Sequence, residues 1–388
     1  MNEFIPLSVP NLKGNELKYV TEAVEAEWVS TGGAYIDRFE KDIASYLKVN
    51  SAVACQSGTA ALHLSLIQSE VESGDEVIVP TLTFIAAVNP VKYCGAYPIF
   101  MDCDDSLTMD TAKLREFCEN NCNFNYGKLI NKKTGRTIKA VVVVHVFGNL
   151  ANMSEIMKIA KKYNLKVVED ATEALGSYYT EGPYKGMFAG TIGDFGAYSF
   201  NGNKIITTGG GGMLVAKSDE DLNKVKYLST QAKDDLLYYI HDEVGYNYRM
   251  TNLQAALGTA QLEKLEEFIK VKKENYFLYK ELLGSIDGVK ILDFNENVRS
   301  NYWFYSLLLD STKLRRDELI KELSKNKIQT RPIWGLIHEQ KPYKESETYR
   351  IKKALYYHDT VVNIPCSSNL STEEVCRVAK SIKNILLK

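Results

Sequence analysis

From about Ser51 to Val215 the chain alternates short apolar runs with segments of helical spacing. The runs Ser51 to Cys55, Glu76 to Val79, Pro98 to Met101, Lys139 to Val146 and Lys166 to Glu169 predict strands. Thr59 to Ser69, Phe84 to Tyr93 and Met153 to Tyr163 predict helices between them. Runs as continuous as Val141-Val142-Val143-Val144 belong to strands covered on both faces, so the pattern predicts an α/β domain with a mostly parallel central sheet flanked by helices. A ligand of such a sheet lies at the strands' carboxyl ends. Between Phe117 and Thr137 the sequence turns polar and irregular, which predicts a surface excursion or hairpin without chemistry. Past Thr251 the pattern changes to a long helical stretch, Asn252 to Leu282, rich in Lys and Glu, and then to shorter signals. A division near residue 250 follows, into a large ligand-binding domain of residues 1–250 and a smaller α+β domain of residues 251–388.

Composition narrows the function classes. At 388 residues with a net charge of -2, the chain has neither the basic footprint of a nucleic-acid binder nor an acidic disordered tail. The start Met1-Asn2-Glu3-Phe4-Ile5-Pro6 lacks a signal peptide's basic and apolar regions, and no apolar run approaches membrane-spanning length, so a cytoplasmic protein is expected. Its 7 scattered cysteines fit reduced thiols better than a disulfide framework. Cys118 and Cys122 have no second pair and no histidine cluster nearby, so no metal site is expected.

Candidate chemistry sits in separate segments. In Ser199-Phe200-Asn201-Gly202-Asn203-Lys204, followed by Gly209-Gly210-Gly211-Gly212, a lysine follows a strand-like stretch with a serine before it and pliable backbone after it. A lysine holding a cofactor aldehyde as a Schiff base needs that setting, fixed in place yet free to swing away when a substrate amine displaces it. A solvated lysine beside a plain turn is the other reading. Ser57-Gly58-Thr59, where a predicted strand meets a helix, offers a phosphate the helix N-terminus, or merely caps that helix. Asp170, ending Val167-Val168-Glu169-Asp170, is placed to keep a pyridine nitrogen protonated and so make the ring an electron sink, or to cap the next turn. Glu173, three residues on, shares that face, within reach of the ring's phenolic oxygen or the substrate. No Gly-x-Gly-x-x-Gly follows the first predicted strand, which disfavours a dinucleotide enzyme.

Taken in chain order, these segments join Ile5-Pro6-Leu7, Trp28-Val29-Ser30-Thr31-Gly32, Pro80-Thr81-Leu82-Thr83-Phe84, Gly193-Asp194-Phe195, Gly245-Tyr246-Asn247-Tyr248-Arg249-Met250 and Thr330-Arg331-Pro332 with His338. The set resembles the fold-type I, aspartate aminotransferase-like enzymes dependent on pyridoxal 5'-phosphate (PLP). More narrowly, it resembles the DegT/DnrJ/EryC1/StrS family of nucleotide-sugar aminotransferases, over nearly the whole chain. The resemblance implies that Lys204 carries the cofactor and shuttles the proton, that Asp170 binds the pyridine nitrogen, and that Phe84 stacks on the ring. It implies that Ser57, Gly58, Thr59 and Ser199 hold the phosphate, while Asn247 reaches the phosphate of a neighbouring subunit in a homodimer. Thr31, Tyr248, Arg331 and His338 align with positions near the sugar nucleotide, although aromatic and basic residues also suit dimer interfaces.

Many relatives carry Gln or His where this chain has Glu173; branches that aminate C4 of 4-keto-6-deoxy sugars commonly carry Glu. The dehydratase branch replaces the lysine with histidine, so Lys204 implies amination. The run Phe4 to Glu40 is most similar to the legionaminic-acid and bacillosamine branch. That similarity implies transfer of glutamate's amino group to C4 of a UDP-linked 4-keto-6-deoxy-N-acetylglucosamine. A C3-aminotransferase, a GDP-sugar perosamine synthase and a sugar dehydratase are the alternatives within the family. A non-catalytic sugar-nucleotide-binding protein is the alternative outside it.

Overall fold

The computed structural model describes residues 3–235, 237–310 and 314–387, so Met1 and Asn2 of the amino-terminal reading lie outside the described residues. Its main sheet runs Val53–Cys55, Gly212–Ala216, Phe195–Ser199, Lys166–Asp170, Thr137–Val144, Glu76–Pro80, Tyr97–Met101 and Glu347–Tyr349 in spatial order. Every junction from Phe195–Ser199 to Glu347–Tyr349 is parallel, and Gly212–Ala216 is antiparallel to both its neighbours. The central strands are apolar on both faces because helices cover both, as with Val77, Val79, Val141 and Val143, all fully buried. The predicted excursion is a hairpin, Cys122–Asn125 with Lys128–Asn131, added antiparallel to Thr137–Val144.

Helix Gly58–Gln68 is buried nearly all round, wedged between the sheet and outer helices, with Ser57 Oγ accepting the Ala60 N–H at its start. The stretch expected as a helix from Phe84 to Tyr93 is instead a 3-10 turn, Ile85–Ala87, and a short helix, Asn89–Tyr93, with Pro90 in its first turn. Nor is Asn252 to Leu282 one helix: it is Asn252–Leu262 followed by Leu265–Leu283. No proline causes that break. The Glu263 carboxylate at the joint accepts from Asn15 Nδ2 and Tyr19 Oη, both at 2.8 Å, and pairs with Arg38 at 3.0 Å, tying the first helix to the amino-terminal ones. The second helix then turns toward a separate sheet.

That second sheet, ordered Val289–Ile291, Tyr305–Leu309, Val361–Ile364 and Arg331–Pro332, is antiparallel and backed by Leu265–Leu283, Arg316–Lys325 and Thr372–Leu386. Two threads cross between the sheets. Ile5 and Leu7 lie in the core of the second sheet, and Glu347–Tyr349 extends the edge of the first. Helix Asn252–Leu262 packs Ala255 into the core of the first. Among the described residues no helix is long and apolar enough to cross a membrane.

Candidate active site

Strands Val53–Cys55, Lys166–Asp170 and Phe195–Ser199 point the same way, so Ser57, Asp170 and Ser199 arrive at one edge of the sheet. A cavity of about 690 Å³ opens there, between the sheets. Ser57, Gly58, Thr59, Asp170, Glu173, Ser199 and Lys204 line its inner side. Phe84 lines it too, half exposed, and Arg331 lies on the wall from the second sheet. The sequence thus located residues that converge from far apart in the chain.

The phosphate-cradle and helix-cap readings of Ser57 are compatible. Ser57 Oγ caps the helix through Ala60, while Gly58 and Thr59, in its first turn, face the cavity. Gly58 allows close approach: a Cβ there would stand 2.8 Å from Ser199 Cβ and 3.0 Å from Thr172 Cγ2. The glycine run is more than pliable backbone. Gly210 and Gly211 line the cavity, and Gly212 begins a strand so close to Ser57 that a Cβ would sit 2.5 Å from the Ser57 carbonyl carbon.

Adjacent carboxylates of one strand take opposite duties. Glu169 points away from the cavity and accepts His145 Nε2 at 2.8 Å and the N–H groups of Gly190 and Ile192, fixing a loop. Asp170 is buried at the cavity floor and accepts the Thr172 N–H at 3.0 Å. Burial pushes its carboxyl up, against the pull of Thr172 and the Lys204 charge. Glu173 is lifted further, to about 7, by burial first, with Asp170 adding to the rise and Lys204 and the Phe147 N–H opposing it.

The Lys204 side chain is 11% exposed, with Nζ 3.5 Å from Thr172 Oγ1, 3.8 Å from Glu173 Oε1 and 4.3 Å from the centroid of the Trp303 ring. It leaves a tight turn closed by its own N–H to the Asn201 carbonyl at 3.0 Å. A largely enclosed amine beside a buried carboxylate, a helix N-terminus and a glycine without room for a methyl together fit PLP. Asp170 would hold the ring nitrogen, Gly58, Thr59 and Ser199 the phosphate, and Lys204 the aldehyde carbon.

Other expected residues lie outside this cavity. Thr31 is half-buried near the amino-terminal helices, and Asn247 is exposed. Tyr248 stacks on Tyr246, ring centroids 5.0 Å apart, with its Oη 3.1 Å from His63 Nδ1. His338 Nδ1 lies 2.6 Å from Thr81 Oγ1, and burial pushes its imidazole pKa down. Conversely, sequence reasoning missed Thr172, Trp303, Trp334 and Asn363, all on the cavity wall. Two of the chain's 3 tryptophans meet there, but they lie far from Lys204 in the sequence and no local signal marked them.

Comparison with known proteins agrees with this geometry. A model of the DegT/DnrJ/EryC1/StrS aminotransferase family matches residues 10–383. The chain is 38% identical to the GDP-perosamine synthase of Escherichia coli O157:H7, covering 98% of each chain. It is 36% identical to that of Caulobacter vibrioides, covering 99% of this chain and 98% of the relative. A Campylobacter jejuni UDP-4-amino-4,6-dideoxy-N-acetyl-beta-L-altrosamine transaminase is 29% identical over 99% of this chain and 98% of its own. Among solved structures, the aminotransferase TlmJ from Streptoalloteichus hindustanus superposes with a TM-score of 0.89 at 26% identity, over 99% of both chains. Fold, cavity and sequence agree that the chain belongs to the DegT/DnrJ/EryC1/StrS aminotransferase family, as a nucleotide-sugar aminotransferase whose cofactor is pyridoxal 5'-phosphate.

Proposed function

We propose that the protein moves the amino group of L-glutamate to C4 of a nucleotide-linked 4-keto-6-deoxyhexose, with Lys204 as the proton-transferring base. The observation that carries this reading is Lys204 Nζ clustered with Thr172 and the buried Glu173, in a cavity that Asp170 floors. When bound, PLP supplies an electron sink that acidifies the carbon–hydrogen bond next to the substrate nitrogen. Lys204 Nζ then takes the proton from the α-carbon of glutamate and delivers one to C4 of the sugar. Asp170 holds a proton on the ring nitrogen, and Glu173, titrating at about 7, holds or yields one beside Lys204. Trp303, Phe304 and Trp334 wall the cavity against water. Arg331 has no carboxylate partner among the described residues, which leaves its guanidinium for an anionic group of glutamate or the nucleotide.

Glutamate leaves as 2-oxoglutarate before the keto sugar enters, so ping-pong kinetics are expected. The perosamine-forming relatives support a GDP-linked sugar. The UDP-linked N-acetyl sugar expected from the amino-terminal run is the second reading, supported by the Campylobacter jejuni relative. Incubation with glutamate and GDP- or UDP-linked 4-keto sugars, with the product assigned by NMR, separates them; amine at C3, or none with any sugar, sinks the proposal. Lys204→Ala is expected to keep the fold, by circular dichroism, and lose turnover by at least about 1,000-fold.

The homodimer belongs to the same proposal, with exposed Asn247 reaching a partner's phosphate. So does a working division at residue 250, which Ile5, Leu7 and Glu347–Tyr349 cross.

A further inference from the structure

Lys204 and Trp303 come from different sheets' surroundings and meet at the cavity wall. The Trp303 Nε1–H donates to the Asn203 carbonyl at 2.9 Å, fastening the backbone one residue before Lys204. Its ring face lies 4.3 Å from Lys204 Nζ. The same segment grips the other side of the site: the Trp303 N–H donates to Asn301 Oδ1 at 3.0 Å, and Asn301 Nδ2 donates to the carbonyls of Glu173 and Leu175, both at 2.9 Å. Trp303 is 3% exposed and stacked on Phe304 with centroids 4.1 Å apart, so the ring has no room to turn away.

We propose that Trp303 is a positioning residue for Lys204: its ring face is where the amine rests while released from the cofactor, and its indole N–H holds the loop that returns it. This rests on the reading of Lys204 as the cofactor-bearing lysine. A lysine alternately joined to the cofactor and released from it needs a place to rest between the two states that holds it without a covalent bond. Thr172 offers it one hydroxyl at 3.5 Å, and Glu173 is 3.8 Å away. An indole face attracts an ammonium without taking its proton or bonding to it, so the amine is held yet free to react. The indole N–H acts on the same lysine through the main chain, and Asn301 couples that anchor to the segment bearing Glu173.

The test uses full-length holoenzyme incubated with glutamate, without keto sugar, then gel-filtered and treated with acetic anhydride. Peptide mass spectrometry reads acetylation of Lys204 relative to Lys133, whose side chain is 70% exposed. Trp303→Leu is expected to be labelled at Lys204 about 3- to 10-fold faster than wild type, and Trp303→Phe, which keeps a ring face, within about twofold of wild type. Both variants should lose kcat while KM for glutamate stays put. Wild-type labelling in Trp303→Leu, or labelling in Trp303→Phe as fast as in Trp303→Leu, overturns the proposal. If Trp303→Leu does not fold, Trp303→Phe decides alone: without the indole N–H, amide exchange over residues 201–204 should be about 5-fold faster, and unchanged exchange overturns the proposal. Lys204→Ala tests the reading beneath it: borohydride should no longer fix the cofactor to the chain. If that variant behaves so and the Trp303 variants match wild type, only the present inference fails; cofactor still fixed in Lys204→Ala sinks the underlying reading.

Discussion

At Glu173 a buried carboxyl is lifted from its usual value of 4.5 to about 7, by burial above all, and this has a measurable sign. Between those values the folded state binds more protons than the unfolded one, so this group lowers stability as pH rises through the window. In cofactor-free protein, Glu173→Gln should match wild type near about pH 5 and exceed it by up to about 3 kcal/mol near about pH 8, read from denaturant midpoints. A variant no more stable than wild type at the higher pH would contradict the buried, strained carboxyl. Gly58 carries a second prediction at this scale. The Cβ of Gly58→Ala would meet Ser199 Cβ at 2.8 Å, an overlap worth about 1–3 kcal/mol, so affinity for PLP should fall about 10-fold or more in a fluorescence titration. Unchanged affinity would mean that the cradle lies elsewhere. Lys204, Asp170 and Ser57-Gly58-Thr59 were legible in the sequence because each sits in a local motif at a strand end. Thr172 and Trp303 were not, since what makes them matter is a neighbour supplied by another segment.

At the scale of elements, Asp102 does the joining. Its carboxylate accepts the N–H groups of Cys103 and Ala354 on one oxygen and those of Lys352 and Lys353 on the other, with Lys113 alongside. Burial alone would raise its pKa; the Lys113 and backbone donors outweigh burial and hold it below the usual carboxylate range. Asp102→Asn replaces an acceptor oxygen with a donor facing those N–H groups. It should cost about 2–4 kcal/mol in a urea titration, and amide exchange should quicken first over Glu347–Tyr349, the strand that this junction holds at the sheet edge. A loss confined to the second sheet would show that the junction does not secure that strand. The strands of the main sheet were readable because burial on both faces writes a continuous apolar run. Glu347–Tyr349 was not, since it is held by pairing with Tyr97–Met101, by Asp102 gripping Lys352 to Ala354 just after it, and by Asn131 Nδ2 bonding both Glu76 and Glu347. Nor was the break after Leu262, where Glu263 answers to Asn15, Tyr19 and Arg38 rather than to its own helix.

At the scale of the molecule, the cavity draws Asp170 and Lys204 from one sheet's surroundings and Trp303, Arg331 and Asn363 from the other's. A site with such a seam depends on how the two bodies are held together. The proposed dimer extends that dependence to a second chain and makes a prediction of its own. Lys204→Ala and Asn247→Asp chains should each be nearly inactive alone. When unfolded, mixed and refolded together they should regain about a quarter of wild-type activity, since half the dimers then hold one intact site. No recovery in mixed dimers, with dimerisation confirmed by light scattering, would mean that Asn247 does not serve a neighbour's site.

The sequence by itself determined the α/β class, the parallel centre of the main sheet and the family, and it singled out the segments bearing Lys204, Asp170 and Ser57-Gly58-Thr59. Apolar periodicity and strand-end motifs are local properties, written within a few residues of one another. Tertiary structure alone decided which of those segments share a cavity, that the glycine run opens a strand against Ser57, and that Glu169 serves a loop while Asp170 faces the cavity. It alone set Trp303 beside Lys204. Such contacts join residues far apart in the chain, and only the packing of one sheet against the other brings them within bonding distance.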